Sequence, residues 1–400
     1  MGSNYIEMRL EDCMDAIIDY RGKTPKKVDN GIPLITAKII KNGRIHEVNE
    51  FIAIDDYDDW MVRGLPLEGD VVLTTEAPLG EVAQLDARKV ALAQRVITLR
   101  GKKGILENDY LLYLLQSSFV QNQLDGRASG STVTGIKQSE LREIILRLPP
   151  VSLQKSISHQ LKCLDKKIDL NNKINKTLEQ MSQTLFKSWF VDFDPVIDNA
   201  LDAGNPIPEA LQSRAELRQK VRSSADFKPL PVEIRSLFPS EFEETELGWV
   251  PKGWTLKSVA KSININPSIK LPKNKIVKYV DMKSLPTQGY SISDIIEKPY
   301  SGGAKFQNND TLFARITPCL ENGKTGFVDF LDEKETAFGS TEFIVMRGTP
   351  QVHYLYVACL ARENNFRLHA IQNMVGSSGR QRVQNSCFDS FYIAIPTPAV

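Results

Sequence analysis

The sequence predicts an α+β fold: two similar mixed α/β domains joined by a long coiled-coil-forming helix. Three observations lead there. The chain has 400 residues, more than the roughly 100–200 of one domain. A series of strand and turn signals recurs in the same order in both halves. Between the two series, Val151 to Phe190 contains neither glycine nor proline.

The repeat opens at Glu68-Gly69-Asp70-Val71-Val72-Leu73, with Pro78 eight residues after Asp70. Its counterpart is Asn308-Asn309-Asp310-Thr311-Leu312-Phe313, with Pro318 eight residues after Asp310. Both read as a turn entering a strand. Val96-Ile97-Thr98-Leu99-Arg100-Gly101 is answered by Phe343-Ile344-Val345-Met346-Arg347-Gly348, each an apolar strand closed by Arg-Gly. Helical stretches follow, Tyr110–Leu115 and Tyr354–Leu360, then the small-residue loops Gly130-Ser131-Thr132 and Gly376-Ser377-Ser378. Each half closes on a strand and a proline: Ile136 to Pro149 and Val383 to Pro396 are both 13 residues apart, with Leu141 matching Phe388 and Ile144 matching Phe391.

In the middle, Ile157, Leu161, Leu164, Ile168, Leu178, Met181 and Leu185 recur at three- and four-residue steps, the period of an amphipathic helix. At about 1.5 Å per residue it would run close to 60 Å, more than one small domain covers, so its seam calls for a partner helix. Asn171 and Asn175 fall near that seam, where asparagine either fixes register or weakens the stripe. Asp194-Pro195 should stop the helix. The proline-rich, acidic stretch beyond it reads as a connector, with a short helix over 208–221 and an apolar anchor at Ile234–Phe238. The expected organisation is therefore 1–150 first domain, 151–194 central helix, 195–247 connector and 248–400 second domain.

Composition and motifs exclude several classes. Hydrophobic residues are 42% and charged residues 25%, with no apolar run near the roughly 18 residues of a membrane helix. Fifty Lys and Arg against 49 Asp and Glu give a net charge of +1, so any nucleic-acid role must rest on local basic patches. The five cysteines, Cys13, Cys163, Cys319, Cys359 and Cys387, are scattered without a C-x-x-C pair, which points to thiols of a reducing compartment rather than a disulfide or zinc framework. The start lacks the layout of a secretion signal, and Ile6 stands where a myristoylation motif needs Ser or Thr. No phosphate loop, dinucleotide turn or nucleophile elbow occurs, nor the Asn-Pro-Pro-aromatic signature of base methyltransferases. His46, His159, His353 and His369 form no H-x-x-x-H pair. The expectation is a non-catalytic, cytoplasmic chain without a cofactor of its own.

One set of residues is more specific. Leu148-Pro149-Pro150, Gln154 opening the helix, and Leu185-Phe186-Lys187-Ser188-Trp189-Phe190-Val191-Asp192-Phe193-Asp194-Pro195 resemble the central region of the DNA specificity subunit of Type I restriction-modification systems. Leu237-Phe238-Pro239, Glu246-Leu247-Gly248 and Pro251-Lys252-Gly253-Trp254 continue the resemblance. It implies that each domain is a target-recognition domain reading one half of a bipartite duplex site, with the helix fixing the spacing. It also implies two methylation subunits, which supply S-adenosylmethionine and adenine-N6 chemistry on a flipped base. Two restriction subunits would add ATP- and Mg-dependent translocation and cleavage. The family follows its second recognition domain with a second helix antiparallel to the first. Here Val400 stands two residues after Pro398, at the place equivalent to Val151, so the central helix is expected either to self-associate with another copy or to show an open seam. The rival class is a helical scaffold or decoy whose degenerate recognition domains bind protein.

Base reading needs bidentate side chains, chiefly Arg or Lys on guanine and Asn or Gln on adenine, with other cations on phosphates. The expected DNA-binding residues of the first domain are Arg21, Lys23, Lys26 and Lys27 in a basic loop, with Ser131, Thr132 and Lys137 about a glycine-rich turn. Those of the second are Lys270, Lys273 and Lys275, Arg315, and Arg380, Gln381 and Arg382, the last three directly after Gly376-Ser377-Ser378-Gly379. Trp189, Phe190 and Phe193 are expected to pack the helix end against its domain or to anchor a methylation subunit, as large apolar side chains do at interfaces.

Overall fold

The computed structural model describes residues 5–22, 24–130, 133–377, 379–398 and 400. The chain forms two compact units, Met1–Asn171 and Asn172–Val400.

In the first unit, four strands pair antiparallel in the order Met14–Asp19, Val96–Gly101, Val71–Thr75, Leu79–Gln84. Both faces of this sheet are covered. Val71, Leu73, Ile97 and Leu99 pack with Leu111, Leu115, Val120 and Leu124 of the helices Asn108–Gln116 and Ser118–Arg127. Val72, Ala83 and Val96 turn the other way, onto Ile32, Leu34, Ile35 and Leu92. Two-sided burial explains why these strands read as unbroken apolar runs rather than as alternating ones. Ile6–Arg9 pairs antiparallel with Ile145–Leu148, joining the beginning of the unit to its end.

The second unit repeats the plan. Asn264–Ile265, Phe343–Arg347, Thr311–Ala314 and Thr325–Phe327 lie in the corresponding order, again all antiparallel. Thr255–Ser258 pairs with the closing strand Tyr392–Ile395, and the helices Tyr354–Arg362 and Asn364–Gln372 stand where their counterparts do. Register is preserved as well: Val71, just after Asp70, faces Leu99, just before Arg100, and Thr311, just after Asp310, faces Met346, just before Arg347. The peptide bonds before Pro78 and Pro318 are both cis. The units differ in their second sheet. The first has Phe51–Ile52, Ile32–Ile35 and Ala91–Leu92. The second has four strands, in the order Ile296–Pro299, Ile276–Val280, Thr336–Gly339, Ala304–Gln307.

The central helix spans Val151–Phe186, 36 residues, or about 54 Å. Its opening turns belong to the first unit. Gln154 is fully buried, its amide oxygen accepting from Glu107 N at 3.0 Å and its nitrogen donating to the carbonyls of Ile105 and Pro149, both at 2.9 Å. Further along, the Tyr113 hydroxyl donates to Asp165 at 2.7 Å, and Arg44 bonds Asp169 at 2.7 Å. The closing turns belong to the second unit. Gln183 donates to the Cys359 carbonyl at 3.0 Å and accepts from the Tyr290 hydroxyl at 2.7 Å, while Phe186 meets Tyr356 edge-on at 4.9 Å. Leu164, Ile168, Leu178, Met181 and Leu185 remain exposed, with Asn171 and Asn175 also exposed. The seam expected from the periodicity is thus present and uncovered among the described residues.

After a π-turn at Lys187–Val191, Phe193 takes a left-handed backbone (φ 56°) and a new helix runs over Asp194–Ala203. Asp194-Pro195 therefore ends one helix and starts another. Proline suits a first turn, whose N–H has no partner within the helix. Asp194, Asp198 and Asp202 then pair with Arg214, Arg218 and Arg222 of the helix Gln212–Arg222, at four-residue steps on both elements. The stretch expected as a connector is a braced helical segment, and Phe238 is its buried anchor.

Candidate nucleic-acid interface

In each unit the turn before the second sheet strand is held by a buried ion pair. Asp70 bonds Arg100 through both carboxylate oxygens at 2.8 and 2.7 Å and accepts from Leu67 N at 2.8 Å. Asp310 bonds Arg347 at 2.7 Å through both oxygens and accepts from Gln307 N at 2.7 Å. These bonds hold both guanidinium groups above their ordinary pKa, against the opposing effect of burial. The pairs satisfy their own charges, so their part is to fix the frame from which the loops project.

In the first unit, Arg21 donates to the Ile136 carbonyl at 2.9 Å and lies 3.6 Å from Asp19. This bond brings the basic loop to the turn that carries Lys137, which is exposed at the start of the helix Gln138–Arg142. Lys26 is exposed, and Lys27 pairs with Glu50 at 2.8 Å. Lys23, Ser131 and Thr132 lie outside the described residues.

In the second unit, Arg315 donates to the Val383 carbonyl at 3.0 Å, the position that matches Ile136. Thr317 N donates to the Gln381 carbonyl at 3.0 Å, so Arg315, Arg380, Gln381 and Arg382 share one corner. Their freedom differs. Arg382 grips Glu342 through Nε at 3.0 Å and Nη2 at 2.8 Å, and these bonds raise its pKa. Arg380 is exposed and forms no ion pair among the described residues. Lys270, Lys273 and Lys275 are exposed on a different loop, anchored where Tyr300 N donates to the Lys275 carbonyl at 2.9 Å.

That loop leads to residues that sequence reasoning passed over. On the second sheet of this unit, Tyr279 faces Ile296 on one side and Phe338 on the other, and Lys305 faces Phe338. Tyr279 and Tyr300 lie 5.0 and 5.1 Å from the Phe338 ring. The Lys298 ammonium sits 4.3 Å above the Tyr279 ring, and that of Lys305 is 6.0 Å from Tyr300. The β-branched and aromatic run Ile276-Val277-Lys278-Tyr279-Val280, a strand composition, was the available signal.

Trp189, Phe190 and Phe193 lie within the second unit, half-buried. Trp189 packs edge-on against Phe238 at 5.4 Å, and Phe193 against Trp254 at 5.8 Å. Phe190 reaches Tyr356 at 5.3 Å. These rings pack the helix end against its own unit and keep part of their surface exposed.

Among the described residues, no group of three or more His, Cys, Asp or Glu is placed to hold a metal ion, and no helix is long and apolar enough to cross a membrane.

Comparison with known proteins shows which proteins the chain is similar to. Residues 3–180 match the family described as Type I restriction modification DNA specificity domain. The chain is 24% identical over 340 residues to the Type I restriction enzyme MjaIX specificity subunit of Methanocaldococcus jannaschii, covering 82% of this chain and 67% of that one. It is 28% identical over 193 residues to the HindI specificity subunit of Haemophilus influenzae, covering 44% of this chain and 42% of the relative. A solved Type I restriction-modification S subunit from M. genitalium aligns over 99% of this chain and 85% of its own length, with 12% identity and a TM-score of 0.48. By these sequence matches the chain is similar to the DNA specificity subunits of Type I restriction-modification systems, and its residues 3–180 match their DNA specificity domain.

Proposed function

We propose that this chain is the sequence-reading subunit of a Type I restriction-modification complex and directs adenine-N6 methylation and restriction carried out by partner subunits. The observation that carries the reading is the duplicated frame: two sheets of one topology and register, each locked by a buried Asp–Arg pair and each projecting basic loops. Two copies of one frame with different loop sequences suit two different half-sites, 1–150 reading one and 248–400 the other. The helix of 151–194 sets the spacing, and 195–247 braces the second copy.

Arg21, Lys26, Lys27 and Lys137 serve the first half-site, and Lys270, Lys273, Lys275, Arg315, Arg380 and Gln381 the second. Arg382, paired with Glu342, supports its loop rather than touching bases. The chain brings no cofactor. S-adenosylmethionine belongs to two methylation subunits, and ATP and Mg to two restriction subunits, in the cytoplasm. Transfer of labelled methyl groups from S-adenosylmethionine to duplex DNA by the methylation subunit tests this. Transfer should require the chain, and equal transfer without it contradicts the reading.

A further inference from the structure

The outer face of the second sheet of the second unit has no part in the duplicated frame. Alternation along a strand sends Val280, Ala337 and Phe306 into the core and turns Tyr279, Phe338 and Lys305 the other way. Continued one residue past the strand ends, the same alternation puts Lys275 on this face beside Tyr300.

Phe338 is 2% exposed, whereas Tyr279 and Tyr300, leaning on it, keep part of their rings in solvent. Lys298 and Lys305 are held near those rings rather than near a carboxylate, an arrangement in which the ring orients the ammonium without neutralising it. None of Lys273, Lys275, Lys298 and Lys305 forms an ion pair among the described residues. The acidic group touching the face is Asp281, 3.4 Å from the Tyr279 hydroxyl and also accepting from Lys283 N. Glu335, just before the strand Thr336–Gly339, is neutralised by Lys278 at 2.9 Å. Lys298 and Lys305 lie on the two edge strands of the sheet, about 14 Å apart at three strand spacings, far enough to engage different phosphates.

We propose that this face, Tyr279 and Tyr300 with Lys275, Lys298 and Lys305, is the surface on which the second unit seats the sugar-phosphate backbone of duplex DNA. The proposal rests on the reading of the chain as a DNA-recognition subunit and adds where the backbone lies. A face with excess positive charge, oriented cations and no deep pocket fits a polyanion better than a protein partner.

The test is the salt dependence with which the full chain binds a fluorescent random-sequence duplex. Each lysine–phosphate contact adds about 0.9 to the slope of log affinity against log salt. The double variant Lys298→Gln, Lys305→Gln should bind with a slope shallower by about 1.8 and melt like the unaltered chain, while Lys220→Gln, on the helix Gln212–Arg222 that pairs with Asp194–Ala203, leaves the slope in place. An unchanged slope in a folded double variant overturns the assignment of this face, although a steep slope in the unaltered chain still upholds the DNA reading. A flat slope in the unaltered chain overturns both. If the double variant loses affinity for single-stranded but not duplex DNA, the face is a single-strand platform and the duplex assignment is wrong.

Discussion

Asp310 and Arg347 meet in a two-oxygen ion pair at 2.7 Å, and the carboxylate is fully buried while it also accepts a backbone N–H at the strand entry. Removing one member of a buried pair leaves the other without a counter-charge. Asp310→Asn should therefore destabilise the chain by about 3 kcal/mol, and Asp310→Leu with Arg347→Met should recover part of the loss. Urea denaturation of the single and double variants checks both. An Asp310→Asn variant as stable as the unaltered chain would remove the frame from the account.

Gln154 ties the first turn of the central helix to the first unit through three hydrogen bonds. Gln154→Ala leaves Glu107 N and two carbonyls without partners at a buried site, a loss of about 1–3 kcal/mol. Hydrogen exchange at the backbone N–H of Glu107 and over residues 151–160 should accelerate, while exchange in the second unit stays as it was.

Arg380 and Arg382 should separate cleanly despite being two residues apart. Arg380→Ala should weaken or relax recognition of the second half-site with little change in melting temperature. Arg382→Ala should lower the melting temperature first, because Glu342 then loses its partner. The reverse pattern, seen in motif-resolved methylation and thermal melts of both variants, would exchange their roles.

Asp109 supplies a pH-dependent prediction. Burial pushes its carboxyl up, but hydrogen bonds from Lys162 on the central helix and from Gln84 outweigh this and hold it below the ordinary 3.8. A carboxyl depressed in the folded state stabilises fully above its unfolded value, and that contribution fades as pH falls through the folded one. The urea midpoint of the unaltered chain should therefore exceed that of Asp109→Asn at pH 7, and the gap should narrow as pH drops below 3.8.

Much of this was legible in the sequence, for a physical reason. The Asp-to-Pro spacing, the strands closed by Arg-Gly and the three- and four-residue apolar steps of the central helix are local patterns, each set by a short stretch of backbone. The pairing of Asp70 with Arg100, or Asp310 with Arg347, is written in the same repeat yet becomes an interaction only when two neighbouring strands fall into register. What stayed hidden depends on distant encounters. Glu342 claims Arg382 from forty residues away, and Tyr279, Tyr300 and Phe338 come from three separate segments. The helix that opens at Asp194 was obscured because a proline that ends one helix is also well suited to begin the next.

The central claim is that this chain alone chooses the DNA sequence. The most direct measurement is genome-wide mapping of N6-methyladenine in cells that express the chain with its methylation subunit, against cells that express the methylation subunit alone. A bipartite motif with a fixed spacer should appear only with both proteins and change in one half when loops of one unit are exchanged. Assembly of the two proteins with no new methylated motif would contradict it.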